Sequence, residues 1–199
     1  MNITVTNYSL VAYLGGEEYK KVRRIQKNLQ EITGSKKCLE DWLPHITLGD
    51  GIAVTREEIS RVESEIKRWS EKQKVTKSKV TGFGGIENWK GAVEGKITPY
   101  VIWLDVEVSP GLLQLYNTLR DEITAHHNTW LPRTTTYTPH ITLAFSDLTK
   151  EGYEAGMKFL SDQQEETVLD FSISHIALVE CYGEGNMTSI EYKKFYFVG

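Results

Sequence analysis

The sequence predicts an α+β protein built of two similar halves. Amphipathic helical periods alternate with groups of β-rich segments on both sides of the middle of the 199-residue chain. The pentapeptide PHITL also occurs twice, at 44–48 and at 139–143, once in each half. Helices separated by groups of strands are typical of α+β folds. Outside the pentapeptides the halves align too poorly to prove an internal repeat.

The first half begins with a strand and a helix. Residues 4–14 are rich in β-branched and aromatic side chains, and the glycines at 15 and 16 close the predicted strand. Apolar residues then recur every three or four positions over 17–32, which predicts a helix that ends at Gly34. The first PHITLG is the next predicted strand. Thr55 is a plausible N-cap and predicts a second helix over 55–73.

For the second half, the sequence predicts a group of strands, a helix, the second PHITL strand and a final helix with two more strands. The segments 75–85, 88–96 and 100–110 are punctuated by glycines, which predicts two or three strands joined by short turns. Apolar residues between 112 and 123 have helical spacing, and the second PHITL follows a polar loop. The chain ends with a predicted helix at 150–160 and predicted strands at 167–182 and 189–199.

Composition narrows the class of protein and its partners. A hydrophobic fraction of 40% and a charged fraction of 25% are ordinary for a globular chain, and the length suits one domain or two small lobes. A formal net charge of −4 is unfavourable for holding long DNA or RNA through many phosphates. The N-terminus has neither a signal peptide pattern nor a membrane span. We therefore expect a cytoplasmic protein without membrane partners.

The repeated pentapeptide separates polar from apolar side chains if it forms a strand, because alternate residues face opposite ways. The histidine and the threonine of each copy then share one face, followed by a small residue that leaves space in front of them. The opposite face is apolar and belongs to the core. The polar set is His45, Thr47 and Gly49 in one copy and His140, Thr142 and Ala144 in the other; the apolar set is Pro44, Ile46 and Leu48, and Pro139, Ile141, Leu143 and Phe145.

Two imidazoles facing each other across a cleft suit phosphodiester cleavage. One group must take a proton from the attacking oxygen and another must give one to the leaving oxygen, and an imidazole with pKa ~6.5 can do either near neutrality. Threonine hydroxyls can donate hydrogen bonds to phosphate oxygens. A single His-x-Thr would indicate an ordinary half-buried histidine, whereas the identical pair favours chemistry. Two histidines without a nearby carboxylate supply too few ligands for a metal site.

The paired motifs at 44–48 and 139–143, the opening SLVAYLGG segment and the VIWLDVEVSPGLLQLYNTL passage resemble the 2H phosphoesterase superfamily, in particular its branch named for 2'-5' RNA ligases. The resemblance covers nearly the whole chain, residues 1–199. It implies a single bilobal domain with pseudo-twofold symmetry, an antiparallel sheet backed by helices in each lobe, and an active cleft between the lobes. It also implies that His45 and His140 are the acid and the base, and that Thr47 and Thr142 bind phosphate.

The resemblance leaves the substrate open. Superfamily members act on 2',3'-cyclic phosphates, 2'-5' linked oligonucleotides, ADP-ribose cyclic phosphates, RNA ends and cyclic oligonucleotides. We expect a monomeric phosphodiesterase that needs no metal or other cofactor and acts on a small nucleotide or a short RNA. The alternatives are a non-catalytic module that binds RNA ends or nucleotides on the same scaffold, and an RNA 2'-5' ligase. Which histidine is the acid is not fixed by the sequence.

Further substrate contacts are predicted near the motifs. A base in the cleft would stack on an aromatic face, and the candidates are Trp42, Tyr137, Tyr182 and Tyr13, with ordinary packing as the alternative for each. Arg133, in the loop before the second motif, is a candidate bidentate phosphate contact, and a solvated loop arginine is its alternative. His175 lies in the apolar segment SISHIALVE, which favours a hydrogen-bonded core histidine.

Overall fold

Two four-stranded antiparallel sheets form the frame of the molecule, each backed by helices. The computed structural model describes residues 5–126, 137–182 and 188–198. The strands in chain order are β1 (Val5–Tyr13), β2 (His45–Thr55), β3 (Thr76–Ile86), β4 (Val101–Val106), β5 (His140–Phe145), β6 (Leu169–Ile173), β7 (His175–Tyr182) and β8 (Thr188–Tyr196). Sheet A has the order β2-β1-β7-β8, and sheet B has the order β5-β4-β3-β6. The predicted α+β class with antiparallel sheets is confirmed.

Six helices accompany the strands within the described residues. They are α1 (Gly16–Thr33), α2 (Lys37–Asp41), α3 (Ile59–Ser70), α4 (Pro110–His126), α5 (Lys150–Asp162) and α6 (Gln164–Thr167). Helix α1 ends at Gly34, whose φ of 76° is left-handed and suits a residue without a side chain. The predicted stripe of α1 buries Val22, Ile25 and Leu29, and the helix packs against α5 and β5. No helix in the part of the chain that the structure describes is long and apolar enough to span a membrane.

The two sheets have equivalent strand orders, although the chain does not divide into two halves. Each sheet begins with a motif strand at its edge, β2 or β5, followed by that strand's antiparallel partner, β1 or β4. The last two strands, β7 and β8, return to sheet A, whereas β6 belongs to sheet B. The predicted division into two similar halves therefore does not coincide with the two sheets, because the C-terminal strands β7 and β8 complete the first sheet.

Residues 167–182 form two strands rather than the predicted single one. Exposure alternates along β6, as expected for an edge strand with one buried face, whereas four consecutive residues of β7 are buried between its two neighbours. The chain leaves sheet B at Ser174, whose carbonyl accepts a hydrogen bond from the Phe197 amide at 2.9 Å. The change in burial pattern at this residue is the physical sign of the crossing between sheets.

Two other predictions differ in extent. Of the two or three strands predicted over 75–110, two form, β3 and β4, whereas residues 88–96 form turns with one isolated bridge between Val93 and Ile97. Strand β2 continues to Thr55, so α3 begins at Ile59. Thr55 and Glu58 still form a reciprocal cap: the Thr55 amide donates to Glu58 Oε2 at 2.8 Å and the Glu58 amide donates to Thr55 Oγ1 at 3.3 Å. The short helices α2 and α6 lack an apolar period and were not predicted.

A single apolar cluster connects both sheets and their helices. Its fully buried members include Ile46 from the first motif, Ile141 from the second, Leu10 and Leu104 from the neighbouring strands, and Leu119 from α4. The isoleucine of each pentapeptide is thus a core residue, as predicted from strand parity. Burial of these side chains fixes which face of β2 and β5 carries the histidines.

Candidate active site

The two His-x-Thr pairs lie on strands that meet. Strands β2 and β5 are the edges of their sheets and are in contact with each other. The ladders place His45 opposite Tyr13 and Thr47 opposite Val11 in sheet A. In sheet B the second motif lies in the same way against β4. Because Ile46 and Ile141 are buried, the histidine and the threonine of each motif face away from the core. The structure therefore brings together the four residues predicted to carry the chemistry.

A β-bulge follows the threonine in both motif strands. The register shifts between Thr47 and Gly49 opposite Val11 and Leu10, and again between Thr142 and Ala144 opposite Trp103 and Ile102. One extra residue reverses the facing of the residues that follow it, and in β2 a second register shift, opposite Tyr8 and Leu10, returns Ile52 and Val54 to the buried face. Gly49 and Ala144 are therefore buried, and they do not open space before the histidines as predicted. Phe145, predicted for the same apolar face as Ile141 and Leu143, instead packs with Trp42, Trp89 and Trp103.

Each histidine is held in the same way by the chain that precedes it. His45 Nδ1 lies 2.7 Å from the carbonyl oxygen of Leu43, and His140 Nδ1 lies 3.0 Å from the carbonyl oxygen of Thr138. A carbonyl only accepts, so Nδ1 must carry the proton in both rings. Nε2 is then the atom that gains or loses a proton in each histidine. The paired geometry gives two imidazoles in matching tautomers at the facing strand edges.

The first motif is tied to the segment that leads into the second. The Tyr137 hydroxyl donates to the carbonyl oxygen of Thr47 at 2.9 Å, and its ring stacks on Tyr116 with centroids 3.9 Å apart. Burial, and secondarily the neighbouring Tyr116, raise the pKa of Tyr137, so the hydroxyl remains a donor. Tyr137 adjoins Thr138, whose carbonyl orients His140. This bond is one of two that join the motifs, and we name it the tyrosine brace.

The second motif is tied back to the first by a glutamine from α1. The buried Gln26 donates through Nε2 to the carbonyl oxygen of Thr142 at 3.2 Å and accepts from Arg23 at 3.0 Å. Arg23 also donates to the carbonyls of Leu39 at 2.7 Å and Trp42 at 3.3 Å. Trp42 adjoins Leu43, which orients His45. This glutamine brace mirrors the tyrosine brace, and each supplies a partner to an edge-strand carbonyl.

The surroundings of His45 are aromatic. The rings of Tyr13 and Trp42 lie 6.4 and 5.6 Å from its centroid. Burial lowers the pKa of His45; the bond to the Leu43 carbonyl opposes this effect, and the charge of His140 adds to it. His45 is therefore predominantly neutral near neutral pH.

The surroundings of His140 contain a carboxylate. Asp105 lies directly opposite His140 across the β4–β5 ladder, and Trp103 lies opposite Thr142. The Trp103 indole donates through Nε1 to Asp105 Oδ1 at 2.7 Å, and its ring centroid is 5.8 Å from that of His140. Gly84, opposite Trp103, leaves room for the indole, because a Cβ there would lie 2.9 Å from Nε1. The two histidines thus occupy different electrostatic environments.

The structure places the other predicted contacts unequally. Tyr13 and Trp42 flank His45, and Tyr137 lies between the motifs. Tyr182 lies seven residues along β7 from His175, whose ring is next to Tyr13, so about 23 Å of strand separates it from the histidine end of the sheet. It is not brought to the site. Arg133 falls outside the described residues.

Four relevant residues were not predicted as site residues. Trp103 and Asp105 alternate on β4, and their positions opposite the second motif depend on the strand pairing. Gln26 and Arg23 are one helical turn apart on α1, a spacing that many surface pairs share. The available sequence signal for Gln26 was its position on the apolar side of the predicted helix, beside Val22, Ile25 and Leu29. Among the described residues, no group of three or more His, Cys, Asp or Glu side chains is placed to hold a metal ion.

Comparison with known families identifies the family of this chain. The model of the 2'-5' RNA ligase superfamily matches residues 51–185, about two thirds of the chain. The chain belongs to the 2'-5' RNA ligase superfamily. The resemblance noted from the two PHITL motifs is confirmed. The matched region of the chain includes His140 and Thr142, whereas His45 and Thr47 precede it. Comparison with curated proteins gave no match.

Solved structures similar to this superfamily member have the same fold. E. coli LigT complexed with 3'-AMP is 15% identical, with a TM-score of 0.64 and coverage of 98% of this chain and 100% of that chain. The protein TT0787 of Thermus thermophilus is 17% identical, with a TM-score of 0.62 and coverage of 96% and 97%. A protein described as a phosphoesterase is 14% identical, with a TM-score of 0.64 and coverage of 98% and 100%. The likeness extends over almost the entire chain.

Proposed function

We propose that the protein is a metal-independent phosphodiesterase that cleaves a small nucleotide phosphodiester by general acid–base catalysis with two histidines. The observation that carries this proposal is the matched pair of imidazoles on contacting edge strands. Each is held through Nδ1 by a carbonyl two residues earlier, and each is followed by a threonine on the same face. A site that only binds phosphate has no need for two imidazoles that are both held through Nδ1 with Nε2 left available for proton transfer.

The proposed reaction on a 2'-5' linked dinucleotide begins with attack by the neighbouring 3'-hydroxyl on phosphorus. One histidine takes the hydroxyl proton through Nε2 as the new O3'–P bond forms. The other gives its Nε2 proton to the 5' oxygen as the P–O5' bond breaks. The products are a 2',3'-cyclic phosphate and a free 5'-hydroxyl. Water can then open the ring with the two roles exchanged, which restores both histidines to their starting protonation states.

We assign His45 as the base and His140 as the acid in the cleavage step. His45 lies between the aromatic rings of Tyr13 and Trp42, where a neutral imidazole is favoured. The acid role then falls to His140, which lies opposite Asp105 across the β4–β5 ladder and beside the Trp103 ring. In the ring-opening step the assignments reverse.

Thr47 and Thr142 are the proposed donors to the non-bridging oxygens. Both side chains are partly exposed beside the histidines, and both backbone carbonyls are fixed by the braces. Negative charge on these oxygens increases as phosphorus becomes five-coordinate. Donors that are already oriented stabilise this charge without having to reorganise. The two hydroxyls thereby complete a site with an acid, a base and two phosphate ligands.

The proposed substrate class is a 2'-5' linked oligonucleotide, a 2',3'-cyclic phosphate or a cyclic oligonucleotide. A net charge of −4 favours a short substrate over long nucleic acid. E. coli LigT has been crystallised with 3'-AMP, NADP+ and ATP, which are all small nucleotides. Tyr13 and Trp42 beside His45 are the proposed stacking surfaces for a base.

A screen in EDTA tests this proposal against the alternatives. Wild-type protein and the His45→Ala, His140→Ala double variant are incubated with members of the three substrate classes, and products are identified by mass spectrometry. We expect cleavage by the wild type only. Recovery of intact nucleotide from folded wild-type protein across the panel would favour a binding module. Formation of a longer 2'-5' linked product from two RNA ends would favour a ligase.

A further inference from the structure

A groove beside His45 extends beyond the residues that carry the proposed acid–base steps. It has a volume of about 290 Å³ and lies between the end of β1, the start of α1 and the outer strand β8. Leu43, whose carbonyl orients His45, lines it together with Tyr13, Tyr19, His175 and Lys194. The groove therefore continues directly from the site where the phosphodiester would react.

Four aromatic or imidazole rings cross sheet A in one row at this groove. They are His45 on β2, Tyr13 on β1, His175 on β7 and Tyr196 on β8, with successive centroids 6.4, 6.5 and 5.3 Å apart. His175 is half-buried and stacks on Tyr196, so it lies on this open face instead of in the core as predicted. Lys194 lies two residues before Tyr196 on β8, opposite Ala177. The row therefore extends from His45, the proposed base, to the strand that carries Lys194.

Lys194 and His45 lie on the two edge strands of sheet A. Three strand spacings separate β2 from β8, which places their backbones about 14 Å apart. Among the described residues that line the groove, Lys194 and His175 are the titratable side chains other than the tyrosines, and none is a carboxylate. The groove thus offers aromatic surface near the reacting phosphate and a cation at its far end.

We propose that this groove binds the nucleoside next to the scissile phosphate and that Lys194, with His175, binds a second phosphate carried by that nucleoside. This assignment rests on the proposed function, because it places the same substrate in a second subsite. The preferred substrate then carries at least two phosphates separated by one nucleoside. Tyr13 and Tyr19 contact the nucleoside between them.

An ion pair competes with this phosphate. Lys194 Nζ lies 3.3 Å from Glu191 Oε2, with 38% and 34% of the two side chains exposed. A pair this exposed contributes little to stability, whereas a phosphate accepts stronger charge-assisted hydrogen bonds. The pKa of His175 is lowered mainly by burial and also by the charge of Lys194, and the charge of Glu191 opposes both effects. The pKa of Tyr13 is raised to about 12, mainly by burial and also by the charge of Glu191. Removal of the Glu191 charge should therefore strengthen phosphate binding.

Calorimetric titration tests the subsite without requiring turnover. The protein carries His140→Ala to prevent cleavage, and the ligands are a 2'-5' linked adenosine dinucleotide with free hydroxyl ends and its 5'-phosphorylated and 3'-phosphorylated forms. We expect one of the phosphorylated forms to bind about tenfold tighter than the unphosphorylated form. Lys194→Gln should reduce this gain to less than about twofold, and Glu191→Gln should increase it. Lys193→Gln, the same charge change at the preceding position of β8, should leave the gain in affinity from the added phosphate unchanged.

Two results would overturn the subsite. One is a gain from the added phosphate that persists in Lys194→Gln; the other is no gain for either phosphorylated form, including the case in which none of the three ligands binds. Turnover of the same ligands by protein with both histidines intact is measured separately. If that protein cleaves none of the ligands while the added phosphate still tightens binding in a way that depends on Lys194, the proposed function is contradicted and the subsite stands.

Discussion

Tyr137→Phe removes the tyrosine brace while it preserves the ring. The hydroxyl donates one hydrogen bond of 2.9 Å to the carbonyl of Thr47, and the stack on Tyr116 at 3.9 Å does not involve the hydroxyl. A net hydrogen bond contributes about 0.5–1.5 kcal/mol, and a carbonyl left without a partner in a partly buried position adds to the loss. We expect the free energy of unfolding to fall by about 1–2 kcal/mol.

Urea unfolding followed by circular dichroism measures this loss. Tyr182→Phe is the matched control, because Tyr182 is exposed and far along β7 from the motifs. Its free energy of unfolding should change by less than about 0.5 kcal/mol. In Tyr137→Phe, kcat should also fall with little change in KM, because the Thr47 backbone is less firmly placed. Equal stability losses in the two variants would refute the claim that the brace holds the motifs together.

The other predictions concern the opposite brace, the threonines and the pH dependence. Gln26→Leu removes bonds to Thr142 and Arg23, so the melting temperature should fall, and Gln26→Glu should not restore it, because a carboxylate cannot donate to the Thr142 carbonyl; full stability in the leucine variant would contradict this. Thr47→Val and Thr142→Val should each lower kcat by about 10²–10³-fold, and serine at either position should restore most of it; valine variants with wild-type kcat would remove the hydroxyls from the mechanism. The acid limb of kcat/KM should have an apparent pKa below about 6.5, because burial lowers the pKa of His45; a limb above that value would contradict His45 as the base. The pKa of His45 is lower in the folded protein than in the unfolded chain, so the unfolded chain binds the His45 proton more readily. The contribution of neutral His45 to the free energy of unfolding is therefore full above pH ~6.5 and is lost as the pH falls through the lower folded pKa. Between about pH 7 and about pH 5, urea unfolding should show a smaller loss of free energy of unfolding in His45→Asn than in the wild type, and equal losses would contradict this linkage.

The sequence was sufficient for the class of fold and for the strand faces on which the two histidines lie. Strand parity placed Ile46 and Ile141 in the core and the histidines on the other face, because alternation in a strand holds over a few residues. It failed after Thr47 and Thr142, where a bulge reverses the facing. A bulge is set by pairing with the neighbouring strand, so the local pattern does not report it.

The remaining features depend on contacts between distant segments. Asp105 lies opposite His140 only because β4 and β5 pair in one register, and Gln26 reaches Thr142 only because α1 packs against β5. The groove beside Tyr13 requires β8 to return to sheet A after the chain has completed sheet B. Local propensity carries no information on such pairings.

The central claim is that two histidines, and no metal, cleave a phosphodiester. The most direct measurement is the single-turnover rate on the substrate found in the screen, in EDTA, for the wild type, His45→Ala, His140→Ala and the control Tyr182→Ala, with folding checked by circular dichroism. We predict that each motif variant loses about 10²–10⁴-fold in rate and that the control, altered at an exposed ring far from the motifs, retains its rate to within about twofold. A folded His45→Ala or His140→Ala variant with the wild-type rate, or a wild-type rate abolished by EDTA, would contradict the account.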